Sequence, residues 1–505
     1  MKTRLTITVL AALSLAEAGI RGAESVPPDE AVPPWLRAKR EEKPVRQKEF
    51  QMPAVPKWFE DAKFGVYIHW TLRSLDIIPK GYRNWKQMAT VHFTASKYDP
   101  KEWARMFKRW GAQYAVLTTK HHLGFALYDC EGNDWTALKS TPAKRDLVAE
   151  YVEAMREAGI KVGLYFSLPD YNHRDYTRTK FEENYKIKDD PARWERFVTQ
   201  MHREVEHLCT AYGKIDLLYF DGDWQQTAQA WRSVELVKMI LRHQPDIVIN
   251  NRLRHADLGH YGTPESNYPG PDQYGREGRW ELASETADGF HCAAGYKNVR
   301  PVSELVQLLG DVIGMGGKHL LNVAPYADGS IPADQVAAMD GLGKWIASHA
   351  EAVYGTQPGL PPTGLFNGGS TSRDNTLYLF VNNQAWGEIV LKAPLDPKRV
   401  THLATGTELA WRVSGRKPSM HGNPLNGWIF INLPQRLAEE HATVLRVEYE
   451  NSDWIRNAQK RYLTERLQLR TTRGAPEFVR EMEERTKAQL PAAGGKAKEE
   501  PEEDQ

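Results

Sequence analysis

The chain has 505 residues, enough for more than one domain, with 66 Lys+Arg against 65 Asp+Glu and a net charge of +1. That balance leaves no surplus of positive charge for nucleic acid or an anionic membrane surface, so neither is expected as a partner. Cys130, Cys209 and Cys292 give neither a disulfide framework nor metal-ligand spacing, and at least one thiol stays unpaired.

Lys2 and Arg4 precede an apolar stretch from Leu5 to Ala16, and Ala16-Glu17-Ala18 is a small-x-small cleavage site. Residues 1–18 are therefore expected to be a signal peptide, which makes the protein secreted or periplasmic. The stretch is short for a bilayer span. Residues 19–50, with Pro27, Pro28, Pro33 and Pro34, read as a linker.

From residue 51 to 357 the pattern alternates between apolar strand-like runs and amphipathic helices. Extended runs are expected at Phe64–His69, Tyr114–Thr119, Lys161–Ser167, Ile215–Asp221, Asp246–Asn250 and Lys318–Val323. Helices are expected at Pro100–Trp110, Asp146–Ala158, Trp194–Tyr212, Ala228–His243, Val302–Ile313 and Gln335–Glu351. Repeated β-then-α units imply an α/β fold with a parallel sheet inside and helices outside. With six clear strands and irregular units, a (β/α)8-like TIM barrel fits better than an open sheet. The glycine loop of a dinucleotide fold is missing after the first strand, where Trp70 and Thr71 stand.

Residues 358–450 change texture. Thr376–Asn382, Gly387–Leu391, Val400–Leu403, Leu409–Val413, Gly427–Asn432 and Ala442–Tyr449 are short alternating runs, the pattern of a C-terminal β-sandwich. Residues 451–505 form a charged tail, with 453–489 expected as exposed helix and Ala492–Gln505 as disordered.

Several apolar runs in the barrel region end abruptly in a polar group: His69, the pair His121-His122, and Asp221. Residues at the carboxyl ends of barrel strands line the active site, so an enzyme is the leading reading. A carboxylate such as Asp221, at a strand tip before Gly222, suits nucleophilic attack on a sugar carbon; the competing role is a helix N-cap. A second carboxylate must face it, and two are available: Glu265 in Tyr-Gly-Thr-Pro-Glu, and Glu281 beside Trp280. Adjacent histidines at a strand end point to opposite sides, which disfavours one shared metal ion. Neutral imidazoles of His69, His121 and His122 suit sugar hydroxyls, each offering one donor and one acceptor, with a buried structural role the alternative. Arg252 ends another extended run and offers a fork to a ring oxygen or hydroxyl. The 16 Trp and 21 Tyr serve either packing or flat contact with sugar rings.

Several segments together resemble glycoside hydrolase family 29, the α-L-fucosidases. They are Pro56-Lys57-Trp58-Phe59, Phe64-Gly65-Val66-Tyr67-Ile68-His69-Trp70, Thr118 to Phe125, Lys144-Arg145-Asp146-Leu147-Val148, Gly163 to Ser167, Tyr219-Phe220-Asp221-Gly222 and Gly317 to Pro325. The resemblance spans about residues 50–357. It implies an irregular barrel followed by a sandwich, and a retaining exo-acting enzyme that removes terminal α-L-fucosyl groups from an oligosaccharide or glycoconjugate. Asp221 matches the nucleophile, with Glu265 favoured over Glu281 as acid/base. The substrate-binding set it implies is His69, Trp70, Trp85, His121, His122, Tyr165, Tyr219 and Arg252. No cofactor is expected, and the absence of metal-ligand spacing predicts that no metal is required. A sugar-binding barrel without catalysis, or a hydrolase of another sugar, are the alternatives. The chain departs from the family at Leu123, where Asp is usual, at Asn84-Trp85 in place of Glu-Trp, and in a longer Trp280–Tyr296 segment.

N-terminal sequencing of protein exported by a native-type host should begin at Gly19. Recovery of the intact Met1 terminus outside the cytoplasm would contradict the signal-peptide expectation.

Overall fold

A computed structural model of the chain describes residues 51–75, 85–177, 185–255, 258–269, 278–292, 297–362, 364–415 and 427–472. The expected signal peptide and linker and the Ala492–Gln505 end lie outside the described residues. Among the described residues no helix is long and apolar enough to cross a membrane.

Seven parallel strands form the first sheet: β1 Phe64–Ile68, β2 Tyr114–Lys120, β3 Lys161–Ser167, β4 Leu217–Asp221, β5 Val248–Ile249, β6 Glu281–Glu285 and β7 Lys318–Val323. Their order is β5-β4-β3-β2-β1-β7-β6. Between its edges runs residues 261–265, bridged to Asn250 on one side and to Trp280 and Ala283 on the other. Backbone bonds hold the closure, from Asn251 N to Tyr261 O at 3.0 Å, and from Glu281 N to Gly262 O at 2.9 Å. The eighth position of the barrel is thus an irregular Gly-Thr-Pro segment. Pro264 cannot donate to a ladder, which is a physical reason for bridges in place of a strand.

The helices between strands start where the sequence supplies caps. Asp99, Asp146 and Asp190 accept backbone N–H groups ahead of helices Pro100–Arg109, Leu147–Glu157 and Pro191–Thr210. The expected helix over Ala228–His243 is split, because Arg232 takes a left-handed conformation at φ 53°. Strand β6 was absent from the six expected strands, since Glu-Leu-Ala-Ser-Glu is no apolar run. Its polar groups are buried because they have partners: Glu281 with Tyr114, and Ser284 with His319 at 2.8 Å.

Tyr67, Tyr114, Tyr165, Tyr219 and Tyr261 fill the barrel together with Val116, Leu217, Val248 and Leu320. One glycine makes room for this filling. A Cβ on Gly65 would lie 2.5 Å from Tyr114 Cζ, because the Tyr114 ring crosses β1 on its way to Glu281. Several tryptophans serve packing: Trp103, Trp110, Trp194 and Trp231 are buried.

The C-terminal strands form two antiparallel sheets. One holds β8 Gln357–Pro358, β9 Ser370–Arg373, β10 Thr376–Asn382, β12 Arg399–His402 and β15 Ala442–Glu448; the other holds β11 Gly387–Ala393, β13 Trp411–Ser414 and β14 Gly427–Leu433. Leu377, Leu379, Leu391, Ile429, Ile431 and Leu445 pack together in their core. The sandwich is seated on the barrel through Trp345, whose Nε1 donates to Ala442 O at 2.9 Å and whose ring packs on Phe380. The expected exposed tail helix is instead docked where it is described. In helix Asp453–Thr472, Ile455 joins the sandwich core, and Gln459 Nε2 donates to Gly359 O at 2.7 Å.

Gly65→Ala should destabilise the fold by about 1–3 kcal/mol, the usual range for overpacking a filled core. Urea unfolding followed by tryptophan fluorescence checks this; an unchanged midpoint would show that Tyr114 has room to move.

Candidate active site

Asp221 is the last residue of β4, so the strand delivers its carboxylate to the carboxyl end of the barrel. Gly222 follows in a left-handed conformation at φ 78°, and a Cβ there would lie 2.4 Å from Pro169 and 3.2 Å from His122. Only glycine lets the chain turn away so close to the histidine.

Two sets of donors hold the carboxylate. Arg252 Nη1 donates to Oδ1 at 2.5 Å, and the Tyr165 hydroxyl donates to Oδ2 at 2.8 Å. Burial pushes the Asp221 carboxyl up. The Arg252 charge, His122 and the hydrogen bonds from Tyr165 and Arg252 outweigh it and leave the group below its ordinary value. Asp221 is therefore an ionised carboxylate at neutral pH. The competing N-cap role does not fit, since its two oxygens are taken up by side chains.

The same arginine binds the second carboxylate. Arg252 Nη2 donates to Glu265 Oε2 at 2.8 Å and to Thr263 O at 2.9 Å, while Nε donates to Thr263 Oγ1 at 2.8 Å. One guanidinium thus spans Asp221 and Glu265 in a fixed fork. Glu265 lies on the irregular closing segment, and its side chain is 47% exposed against 12% for Asp221. Beneath them Tyr219 is buried, with the Arg252 guanidinium 5.5 Å from its ring centroid. Tyr219 supports the arginine; it does not present a face to a ligand, as the expected substrate-binding role required.

Glu281 stands at the other end of the barrel. It pairs in register with Lys318, the first residue of β7, at the amino end of the strands. The carboxylate is fully buried and accepts from the Tyr114 hydroxyl. Burial pushes it up to about 7, against the hydrogen bonds from Tyr114 and Tyr261 and the Lys318 charge. Glu281 is a structural carboxylate of the barrel floor, which corrects its candidacy as acid/base.

The histidines gather on the remaining side. His69 Nδ1 lies 2.6 Å from Asn322 Oδ1, and Asn322 Nδ2 donates to Phe290 O at 2.8 Å. That orientation makes Nδ1 the protonated nitrogen of His69 and leaves Nε2 as an acceptor. Burial lowers His69 to about 4, so it is neutral at physiological pH. His121 is likewise held well below the usual value, by burial and then by His122 and His291. Its ring stacks on Tyr165 at 10° and 5.7 Å.

His122 belongs to a chain with one sense of donation. The Tyr165 proton goes to Asp221, so Ser167 Oγ must donate to Tyr165 at 2.8 Å, and His122 Nδ1 must donate to Ser167 at 2.8 Å. His122 Nε2 then lies 3.6 Å from Asp221 Oδ2.

The expectation that His121 and His122 point to opposite sides does not hold. Their rings are 4.3 Å apart, because both residues lie past β2 in a turn, where strand alternation has ended. His121, His122 and Asp221 even bring ligand atoms within 4.8 Å of one another, a spacing that also suits a metal ion. Arg252 argues against a cation there: its own positive charge already sits on Asp221 Oδ1.

Trp70 does not reach the site. It is 1% exposed, packs on Phe93, Tyr98 and Trp103, and donates to Tyr326 O at 2.9 Å. His69 and Trp70 follow the end of β1, and the Trp70 ring turns into the outer aromatic layer, away from the barrel interior. Trp85 opens helix Trp85–His92, and its side chain lies outside the described residues. Sequence reasoning missed four contributors: Ser167, Asn322, Phe290 and His291. Ser167 and Asn322 sit at strand ends, where the rule that found Asp221 applies equally. Phe290 packs 4.9 Å from His69, and His291 lies 4.9 Å from His121 and 3.1 Å from Thr71 Oγ1. Both come from a loop with no periodicity to mark them.

A parallel barrel with two carboxylates and several neutral imidazoles at its carboxyl end defines a class: a glycoside-cleaving barrel enzyme. Comparison with known proteins gives the family. The alpha-L-fucosidase family model matches residues 36–351, so the chain belongs to the α-L-fucosidases, family 29 of the glycoside hydrolases. It is 28% identical to the human tissue alpha-L-fucosidase over 426 residues, covering 75% of this chain and 85% of that one. Alpha-L-fucosidase isoenzyme 1 from Paenibacillus thiaminolyticus superposes with a TM-score of 0.66 at 30% identity, over 78% of this chain and 98% of that one. An alpha-L-fucosidase from Bacteroides thetaiotaomicron, at 24% identity, shares the fold with a TM-score of 0.68 over 80% and 97% of the two chains.

Glu281→Gln separates structure from catalysis. In the native fold Glu281 titrates near 7, against 4.5 ordinarily, so it binds more protons folded than unfolded between those values. Its contribution is full below about pH 4.5, shrinks as pH rises toward 7, and is level above that. Thermal melts across that range should show a flatter loss of stability in Glu281→Gln than in the parent chain, with turnover of fucosides retained. Identical slopes would contradict the burial argument.

Proposed function

We propose that the protein is a retaining exo-α-L-fucosidase that releases terminal α-L-fucose from glycans by double displacement. The observation that carries this reading is the single arginine shared by Asp221 and Glu265. A retaining pair needs carboxyl groups roughly 5–5.5 Å apart across the scissile bond, and a guanidinium shared by two carboxylates supports such a close pairing.

In the first step an Asp221 oxygen attacks the anomeric carbon of fucose as the bond to the leaving oxygen breaks. Glu265 gives that oxygen its proton. The product is a fucosyl ester of Asp221 and the free acceptor sugar. In the second step Glu265 takes a proton from water, the water oxygen attacks the same carbon, and Asp221 leaves as a carboxylate. Arg252 and Tyr165 stabilise Asp221 as the anion, both before attack and on departure. His69, through its acceptor Nε2, and His121 are placed for the hydroxyl groups of the sugar, and their neutrality avoids burying a charge under it. Phe290, against His69 and Tyr67, supplies an apolar surface in the same pocket. The Bacteroides relative is described as holding a trapped covalent intermediate, which is consistent with this course for the present chain. We further propose that the protein is exported, on the strength of its N-terminal pattern.

Asp221→Gly should lower turnover of an aryl α-L-fucoside by several orders of magnitude while leaving the fold intact, and added azide should restore activity with inverted product stereochemistry. Glu265→Ala should impair a poor leaving group far more than a good one. Near-normal turnover in Asp221→Gly, or equal losses for both leaving groups in Glu265→Ala, would contradict the assignments.

A further inference from the structure

We propose that Trp224 is the platform for the sugar to which fucose is attached, and that the preferred substrate carries a pyranose with a face of C–H bonds next to the fucose. The inference deepens the fucosidase reading and rests on it. Trp224 is among the few large hydrophobic residues left in solvent, at 51% exposure. An indole this exposed usually has mobile surroundings, yet its turn is pinned on every side. Gly222 fixes the left-handed entry. Asp223 Oδ2 accepts Arg254 N at 3.1 Å, and Asp223 O accepts Trp231 Nε1 at 2.9 Å. Gln225 Nε2 donates to the Tyr171 hydroxyl at 3.3 Å.

The fold therefore holds an apolar plate rigidly in water, three residues past the nucleophile. Its ring stands edge-on to His122 at 6.1 Å, while His122 in turn lies 3.6 Å from Asp221 Oδ2. Glu265 occupies the other flank, reached through Arg252 and Asp221 Oδ1. The acceptor sugar must leave past this rim, with the acid on one flank and the indole on the other. The Trp224 ring meets His122 in that edge-on packing, and half of the residue stays in solvent. Its exposed face covers C–H surface, and a rigid aromatic ring does this at small entropic cost.

The test compares substrates that differ only in what fucose is attached to. α-L-Fucosyl fluoride has no acceptor ring; an α-L-fucosyl-β-D-galactoside and an α-L-fucosyl-N-acetyl-β-D-glucosaminide do. Trp224→Ala should lower kcat/KM for at least one disaccharide by about tenfold, mostly through KM, the scale of a ring contact of about 1.4 kcal/mol. Turnover of the fluoride should change by less than about twofold, and Trp224→Phe should recover most of the loss. Equal losses on fluoride and disaccharides would make Trp224 a mere prop for His122, and no loss on any disaccharide would remove it from substrate recognition; either result overturns the proposal. If the parent chain cleaved none of the three, the fucosidase reading itself would fail, a result distinct from both.

Discussion

The site depends on one guanidinium. Arg252 is 14% exposed and holds Asp221, itself nearly buried, together with the more open Glu265. A carboxylate taken that far out of water pays heavily in lost hydration, and it stays ionised here only because Arg252 and the Tyr165 hydroxyl replace the water. Removing one partner of such a buried pair strands the other, at about 3–5 kcal/mol. The arrangement also sets a difference between the two acids. Asp221 receives both a charge and a neutral hydroxyl within the pocket, whereas Glu265 reaches the rim and meets solvent. Asp221 is thus held as a buried anion, and Glu265 stands open to water beside it.

The rest of the barrel keeps that arginine and its partners in place. Arg252 is fixed from three directions by Thr263, whose hydroxyl and carbonyl both accept from it, and by Tyr219 beneath. Thr263 and Glu265 belong to the irregular segment that closes the sheet, so the closure and the acid are one element. Further down, the interior is aromatic, and the Tyr114 and Tyr261 hydroxyls are turned toward Glu281 at the floor. Glu281 and Asp221 illustrate two outcomes of burial. Glu281 is fully buried with hydroxyl donors, and burial carries it toward 7; Asp221 has a guanidinium in contact, and it falls.

Much of this was legible in the residues. Apolar runs ending in a polar group located β1, β2, β3, β4, β5 and β7, and with them His69, the His121-His122 pair and Asp221. The rule failed for β6, whose glutamates and serine are buried on partners far away in sequence, and for the closing segment, which has no ladder. It also misjudged directions. Alternation along a strand placed His121 and His122 apart, but they lie in the turn beyond it. The resemblance put Trp70 in the sugar site, yet its ring packs outward among Phe93, Tyr98 and Trp103. Tyr219 sits one layer too deep. Phe290 and His291 arrive from a loop, and no periodicity in that stretch marks a residue that folds back over the barrel. The choice between Glu265 and Glu281 needed the third dimension: 16 residues apart in the chain, they stand at opposite ends of the barrel.

The central claim is that Asp221 becomes covalently attached to fucose. A 2-deoxy-2-fluoro-fucosyl fluoride slows both steps but forms the ester readily, so the enzyme should accumulate as a one-to-one adduct. Proteolysis and mass spectrometry should then place the label on the peptide holding Tyr219-Phe220-Asp221-Gly222, with fragmentation assigning it to Asp221. A label on Glu265 or any other residue, or no adduct from enzyme that turns over an aryl fucoside, would contradict the account.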